Sequence, residues 1–382
     1  MPPMPTRSLV RACTHLADPA AAIDELHNSL TAADPALIVL FCSSHYDLSA
    51  VAASLRARFP GVPAIGCTTS GELTPLGYMD GSITAVAFPR GDFAASITRF
   101  DHVSRFEMGD AKPKVRDLLA EAEDTAIEMG PDARHVALFL VDGLCVKEEL
   151  IISALHDALG GLPLIGGSAG DDMRFEATHV LHDGEFHVDA GVLLILTTTR
   201  PFKVFRNQHF VHTDQKMVVT QADPTRRIVT EINAEPAARE YARMVGLEGE
   251  PLTPMIFASY PVVVRVGGEY YVRSIQKVNE DESLTFFCAI DEGIVLTVAT
   301  GVDIVRNLQE LFDRLTVEIG KPDLILGFDC VFRSLELEQK QLKQAASKVL
   351  ASQNVVGFCT YGEQFNAMHV NQTFTGLAIG AR

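Results

Sequence analysis

The chain has 382 residues, 47% of them hydrophobic and 21% charged, which supplies one or two substantial cores; at about 150 residues per domain the length favours two. A formal charge of −17 and a pI near 5.1 repel phosphate backbones and anionic lipid, so no nucleic-acid binding is expected. The seven cysteines are odd in number, scattered and mostly set in apolar runs, and read as reduced thiols rather than a disulfide framework.

Residues 1–30 carry Arg7 and Arg11, but Asp18, Asp24, Glu25 and His27 interrupt any apolar stretch, so no secretion signal is expected. The longest uniformly apolar run elsewhere, 190–196, is far short of the ~20 residues of a membrane span. A cytoplasmic protein without a membrane segment is therefore expected.

One pattern then occurs three times. The first copy runs from a strand at 36–41 through a helix at 48–59 and a second strand at 62–65 to the turn Gly66–Glu72. The second has a strand at 135–141, a helix near 147–159, a strand at 162–165 and the turn Gly166–Asp171. The third has a strand at 324–327, one helix at 335–350, a strand at 354–356 and the turn Gly357–Glu363. After each turn comes a segment that reads as a hairpin: Asp80-Gly81 leading to 83–88, Asp183-Gly184 leading to 192–196, and Asn371-Gln372 leading to 377–379. Between copies two and three the periodicity predicts strands at 217–220, 262–265, 270–273 and 284–287, with helices near 236–244 and 302–319. The fold class is α/β: two mixed α/β domains built from strand–helix–strand–Gly-turn–hairpin units. They divide as 1–29 (extension), 30–222 and 223–382, with the boundary near 221–226.

Glycine turns after strands can cradle an anion on backbone amides. Neither a P-loop ending nor a Rossmann fingerprint is present, so the glycines serve either tight turns and close packing or a ligand site. Glu72, Asp171 and Glu363 follow the turns and can accept hydrogen bonds from turn amides, or contact a ligand. Cys67 and Cys359, inside two turns, are the candidates for a thiolate nucleophile.

Among the histidines, a turn at Asp183-Gly184 pairs His182 with Glu185 and His187 with Val180, and sends His179 to the other face; three-histidine metal binding by this hairpin is not expected. His369, between Met368 and Val370, aligns with Phe374 in an apolar setting. That describes either a core histidine or a proximal haem ligand, with Phe365, Phe374 and Met368 packing on the porphyrin.

These motifs resemble a known family. Residues 65–72 (IGCTTSGE) and 165–172 (IGGSAGDD) resemble the N-terminal FIST domain. Residues 356–363 (VGFCTYGE) and the following 364–374 resemble the C-terminal FIST domain, so the likeness runs from about residue 30 to 380. FIST proteins are sensory modules of signal transduction, and a stand-alone pair of domains resembles the haem-containing nitric oxide sensing group (NosP). That resemblance implies haem b, nitric oxide as ligand and regulation of a separate histidine kinase or other two-component protein. His369 is the first choice of haem ligand on local context and His187 the second, with no catalytic residue; homodimerisation stays open. The alternative is a haem-free sensor of a small metabolite such as an amino acid. Its ligand-binding candidates are Gly66, Cys67, Thr68, Gly71, Glu72, Gly167, Ser168, Gly170, Asp171, Tyr361, Gly362, Glu363 and Asn371. A Cys-dependent hydrolase or transferase using Cys67 or Cys359 is the second alternative.

Overall fold

The computed structural model describes residues 8–382. Unit 1 comprises β1 (Val10–Thr14), α1 (Pro19–Leu30), β2 (Pro35–Ser43), α2 (Leu48–Arg58), β3 (Ala64–Thr69), β4 (Glu72–Thr74), β5 (Gly77–Met79) and β6 (Ile83–Pro89). Unit 2 repeats the order with β7 (Phe93–Asp101), α3 (Ala111–Met129), β8 (Arg134–Val141), α4 (Glu148–Ala158), β9 (Leu164–Ser168), β10 (Val180–His182), β11 (Glu185–His187) and β12 (Ala190–Thr198).

Unit 3 starts with β13 (Phe202–Asn207) and is then interrupted. The insert holds β14 (Phe210–Asp223), β15 (Ile228–Ile232), β16 (Glu235–Pro236), α5 (Ala237–Met244), α6 (Pro254–Ser259), β17 (Val262–Val266), β18 (Glu269–Arg273), β19 (Ile275–Val278), β20 (Leu284–Phe286) and β21 (Val295–Gly301), its strands forming a sheet of their own. Residues 224–227 form the turn between β14 and β15. Unit 3 resumes with α7 (Ile304–Ile319), β22 (Pro322–Cys330), α8 (Val331–Gln339), α9 (Lys343–Ser352), β23 (Val355–Thr360), β24 (Glu363–Phe365), β25 (Met368–Val370) and β26 (Phe374–Gly380).

Each unit builds a six-stranded sheet around one parallel pair, β2/β3, β8/β9 or β22/β23. The helical segment between the paired strands, α2, α4 or α8–α9, is the crossover that a parallel pair requires. The sixfold strand count is completed by exchange. Hairpin β10–β11 of unit 2 pairs with β3 of unit 1, β4–β5 of unit 1 with β23 of unit 3, and β24–β25 of unit 3 with β9 of unit 2. The three exchanges close a cycle. One core is accordingly shared by all three sheets, with Phe41 of unit 1, Leu138 and Leu194 of unit 2, and Phe328 and Phe358 of unit 3 in the same cluster. The rings of Phe41 and Phe358 lie 4.7 Å apart. Strands covered on both faces read as continuous apolar runs, which is why these were legible as strands.

Two expectations are corrected. The Asp183-Gly184 segment is a true two-residue hairpin, both residues at positive φ, with Val180 opposite His187. The segments at Asp80-Gly81 and Asn371-Gln372 are not hairpins: they carry the chain from the exchanged hairpin back to its own unit's sheet, where β6 pairs with β1 and β2 and β26 with β13 and β22. The tight turns of those units are at Pro75-Leu76 and Asn366-Ala367. The single helix expected at 335–350 is two, α8 and α9. Gln341 adopts φ 58° and the Leu342 amide donates back to the Leu337 carbonyl, closing the first helix before the second begins.

Candidate functional site

The three glycine segments carry out structural work, and they are turns only at their ends: Gly66, Gly166 and Gly357 lie inside β3, β9 and β23. Gly66, Gly166 and Gly357 face the carbonyls of Leu40, Phe139 and Gly327, where an added Cβ would lie 1.7, 1.8 and 1.7 Å from the oxygen. The turn amides are spent on neighbouring units: Ser70 N donates to the Cys359 carbonyl, Gly170 N to Thr68, and Ser168 N to Gly362. They are not available as an anion cradle. Gly71 and Gly167 are closely packed as well, against Asp80 and against Thr360 and Phe358.

Glu72 and Glu363 are fully buried in matching cages. Glu72 accepts from Thr69 Oγ1, from Ser82 N at 3.0 Å and from Ser82 Oγ at 2.6 Å; Glu363 accepts from Thr360 Oγ1, from Thr373 N at 3.2 Å and from Thr373 Oγ at 2.7 Å. Burial pushes their carboxyls up to about 7 and about 8, against these hydrogen bonds. Asp171 braces a different loop, accepting from the amides of Phe175, Glu176 and Ala177 at 2.7–3.0 Å and from the Tyr361 hydroxyl. Thr68 Oγ1 accepts from His179 N at 3.0 Å. Cys67 and Cys359 are buried, and burial pushes both thiols well above their ordinary value, the opposite of what a thiolate nucleophile needs.

His187 is engaged: an Arg99 guanidinium nitrogen lies 2.6 Å from its Nε2. His369 is buried, but its setting differs from the expected one. It pairs with Gln364 across β24–β25, not with Phe374, which packs between α7 and the unit 3 sheet. Phe365, on the opposite side of the β24–β25 hairpin, packs against the shared core. Around Gly362 the side chains of His369 and Asn371 converge: a Cβ there would lie 2.2 Å from His369 Cε1 and 3.1 Å from Asn371 Nδ2.

Both ring nitrogens of His369, both amide atoms of Asn371 and Oε1 of Gln364 are buried without a hydrogen-bond partner in the protein. Buried polar groups are ordinarily satisfied, so a cluster of unsatisfied ones marks a place for a polar ligand or water. Helix α4 and the insert enclose the cluster. Arg227 bridges Glu148 at 2.5 Å and Glu149 at 2.6 Å and donates to the Phe287 carbonyl at 2.7 Å. Arg273 Nη1 donates to the His369 carbonyl at 3.4 Å. Burial depresses the His369 imidazole below its ordinary value, against the pull of Glu149 and Glu148, and favours the neutral ring.

A neutral, unpartnered imidazole suits a haem iron, but the amide side chains and ion-paired carboxylates around it do not fit the apolar walls a porphyrin requires. Sequence reasoning found His369 and Asn371 and missed Gln364, Glu148, Glu149, Arg227 and Arg273. Gln364 follows directly on the third glycine turn; the other four come from distant segments with no motif of their own.

Comparison with known proteins identifies the family. Residues 36–235 match the FIST N domain and residues 237–366 the FIST C domain. An uncharacterized protein of Methanocaldococcus jannaschii is 24% identical over 383 residues, covering 90% of this chain and 73% of the relative. With both domains matched in sequence, the chain belongs to the FIST family of sensory signal-transduction proteins.

Proposed function

We propose that this FIST protein is a sensor of a small polar metabolite such as an amino acid, bound among His369, Asn371 and Gln364 and enclosed by α4 and the insert. The observation that carries this reading is the group of buried, unpartnered donors and acceptors around Gly362. Neutral imidazole and carboxamides hydrogen-bond both ends of a zwitterion without adding net charge, and the Arg227–Glu148–Glu149 ion pairs fix the wall behind them. A ligand that bridges unit 3 and the insert stabilises one arrangement of the two, and that difference is what a partner, such as a histidine kinase or another two-component protein, would read. The test is a thermal-shift and calorimetric screen of the twenty amino acids on wild type and Asn371→Leu. A ligand that raises the melting temperature of wild type and binds the variant at least tenfold more weakly, on the order of one lost hydrogen-bonding side chain, supports the reading. A screen in which no amino acid binds removes it.

The second reading, a haem-based nitric oxide sensor, rests on the two unpartnered ring nitrogens of His369. An absorption spectrum of protein from haem-sufficient cells, reduced and then exposed to nitric oxide, decides it. A stoichiometric Soret band lost in His369→Ala favours haem; colourless protein that takes up no added haem excludes it.

A further inference from the structure

Strands β17 and β21 pair only through Val262 with Val298 and Val263 with Thr297. Beyond that point they part. β17 stays paired with β18 as far as Val266 opposite Glu269, and β21 stays paired with β14 as far as Val295 opposite Val218. The split opens a cavity of about 480 Å³ whose lining includes Lys216, Arg265, Arg273, Tyr270, Val264 and Val266. No aspartate or glutamate lines it.

Three cations without a carboxylate run against the composition of the chain, where 49 Asp and Glu outnumber 32 Lys and Arg. Among the described residues none of the three forms an ion pair: Arg265 reaches only the Gly268 carbonyl, at 3.4 Å, and the ring of Tyr270, 5.9 Å from its guanidinium carbon. Lys216 and Arg265 are exposed, while Arg273 is half-buried at the inner end. Tyr270 is held in place by the imidazole of His212, stacked on it at 4.2 Å. Like charges gathered in a concave, partly apolar site concentrate positive potential, and the guanidinium forks match the geometry of carboxylate and phosphate. Where the strands part, their facing backbone groups also lose their ladder partners and become available to a ligand.

We propose that the gap between β17 and β21 binds a small organic anion, a carboxylate or a phosphate ester. Its charged group sits between Lys216 and Arg265 beside Tyr270, which share one face of the sheet, and its carbon frame reaches into the gap toward Val264, Val266 and the half-buried Arg273 on the other. The site is separate from the cluster at Gly362 and does not require that reading. Arg273 touches both, through the His369 carbonyl, and is the route by which occupancy of one would bias the other.

The test is calorimetric titration of the full chain at low ionic strength with inorganic phosphate and, separately, with succinate. Wild type is compared with the double variant Lys216→Gln, Arg265→Gln, both surface positions outside the cluster at Gly362. Expected is saturable binding of at least one probe, weakened tenfold or more in the double variant, with the same melting temperature for both proteins in the absence of anion. Phosphate binding alone identifies the phosphate-ester class, and succinate binding alone the carboxylate class. Absence of saturable binding by either probe, or equal affinity in the double variant, overturns the proposal.

Discussion

Glu72 and Glu363 are the plainest case of one residue doing the same work twice. Each carboxyl is sealed in its own loop, with burial raising it to about 7 and about 8 from an ordinary 4.5. The folded protein therefore holds protons there that the unfolded chain has already released. This contribution is fully present below about pH 4.5 and is lost as pH rises through 7 and 8. Glu363→Gln keeps the shape and removes the titration. Denaturant unfolding at pH 5.5 and 8.5 is expected to show wild type losing more stability than the variant over that interval, by on the order of 2 kcal/mol; equal losses would mean that the carboxyl titrates normally. His209 works in the opposite direction. Its ring sits between Arg333 at 2.5 Å and Glu336 at 2.6 Å, and burial lowers it to about 4. Its share of stability is present above pH 6.5 and is lost as pH falls toward 4.

Among the elements, the parallel strand pairs depend on glycine for a steric reason independent of ligand binding. At Gly66 the backbone of β3 approaches β2 so closely that a Cβ would overlap the Leu40 carbonyl, and the same contact recurs at Gly166 and Gly357. Backbone cannot move aside as a flexible side chain can. Gly66→Ala is expected to cost more than about 4 kcal/mol or to prevent folding, whereas Gly109→Ala, which meets nothing within 4 Å, should stay within about 0.5 kcal/mol of wild type. Urea denaturation of the two variants measures both. A mild effect at Gly66 would show that β2 and β3 can separate locally, and would reopen the turn as a ligand site.

At the scale of the whole molecule, the exchanged hairpins decide what can fold alone. A chain ending at residue 235 keeps β4–β5 but lacks β23, which those strands pair with, and it leaves the edge of β9 bare because β24–β25 is gone. It also loses Phe328 and Phe358 from the shared core. Such a fragment, although it contains the complete FIST N match, is expected to lack a cooperative thermal transition and dispersed amide resonances. A fragment that melts cooperatively would show that the exchange is dispensable. For the full chain, strands drawn from two units into each sheet predict that the three units unfold together.

The sequence alone determined the strand–helix–strand order of the three units and the family, because both depend on local pattern: apolar runs of strand length and helical spacing. Gly66, Gly166 and Gly357, which it assigned to turns, are strand residues at close backbone contacts. It also placed the Asp183-Gly184 hairpin correctly, since a two-residue turn is set by the residues within it. It did not determine where the other hairpins go. Asp80-Gly81 has the same dipeptide, yet the chain there leaves β5 for another sheet, a choice made by which exposed strand edge each hairpin meets. The setting of His369 failed for the same reason: its neighbours Gln364, Asn371, Glu149 and Arg273 are assembled by the exchange of β24–β25 and by the insert. Only tertiary structure could decide these contacts, because partners contributed by distant segments impose no spacing on the sequence around either one.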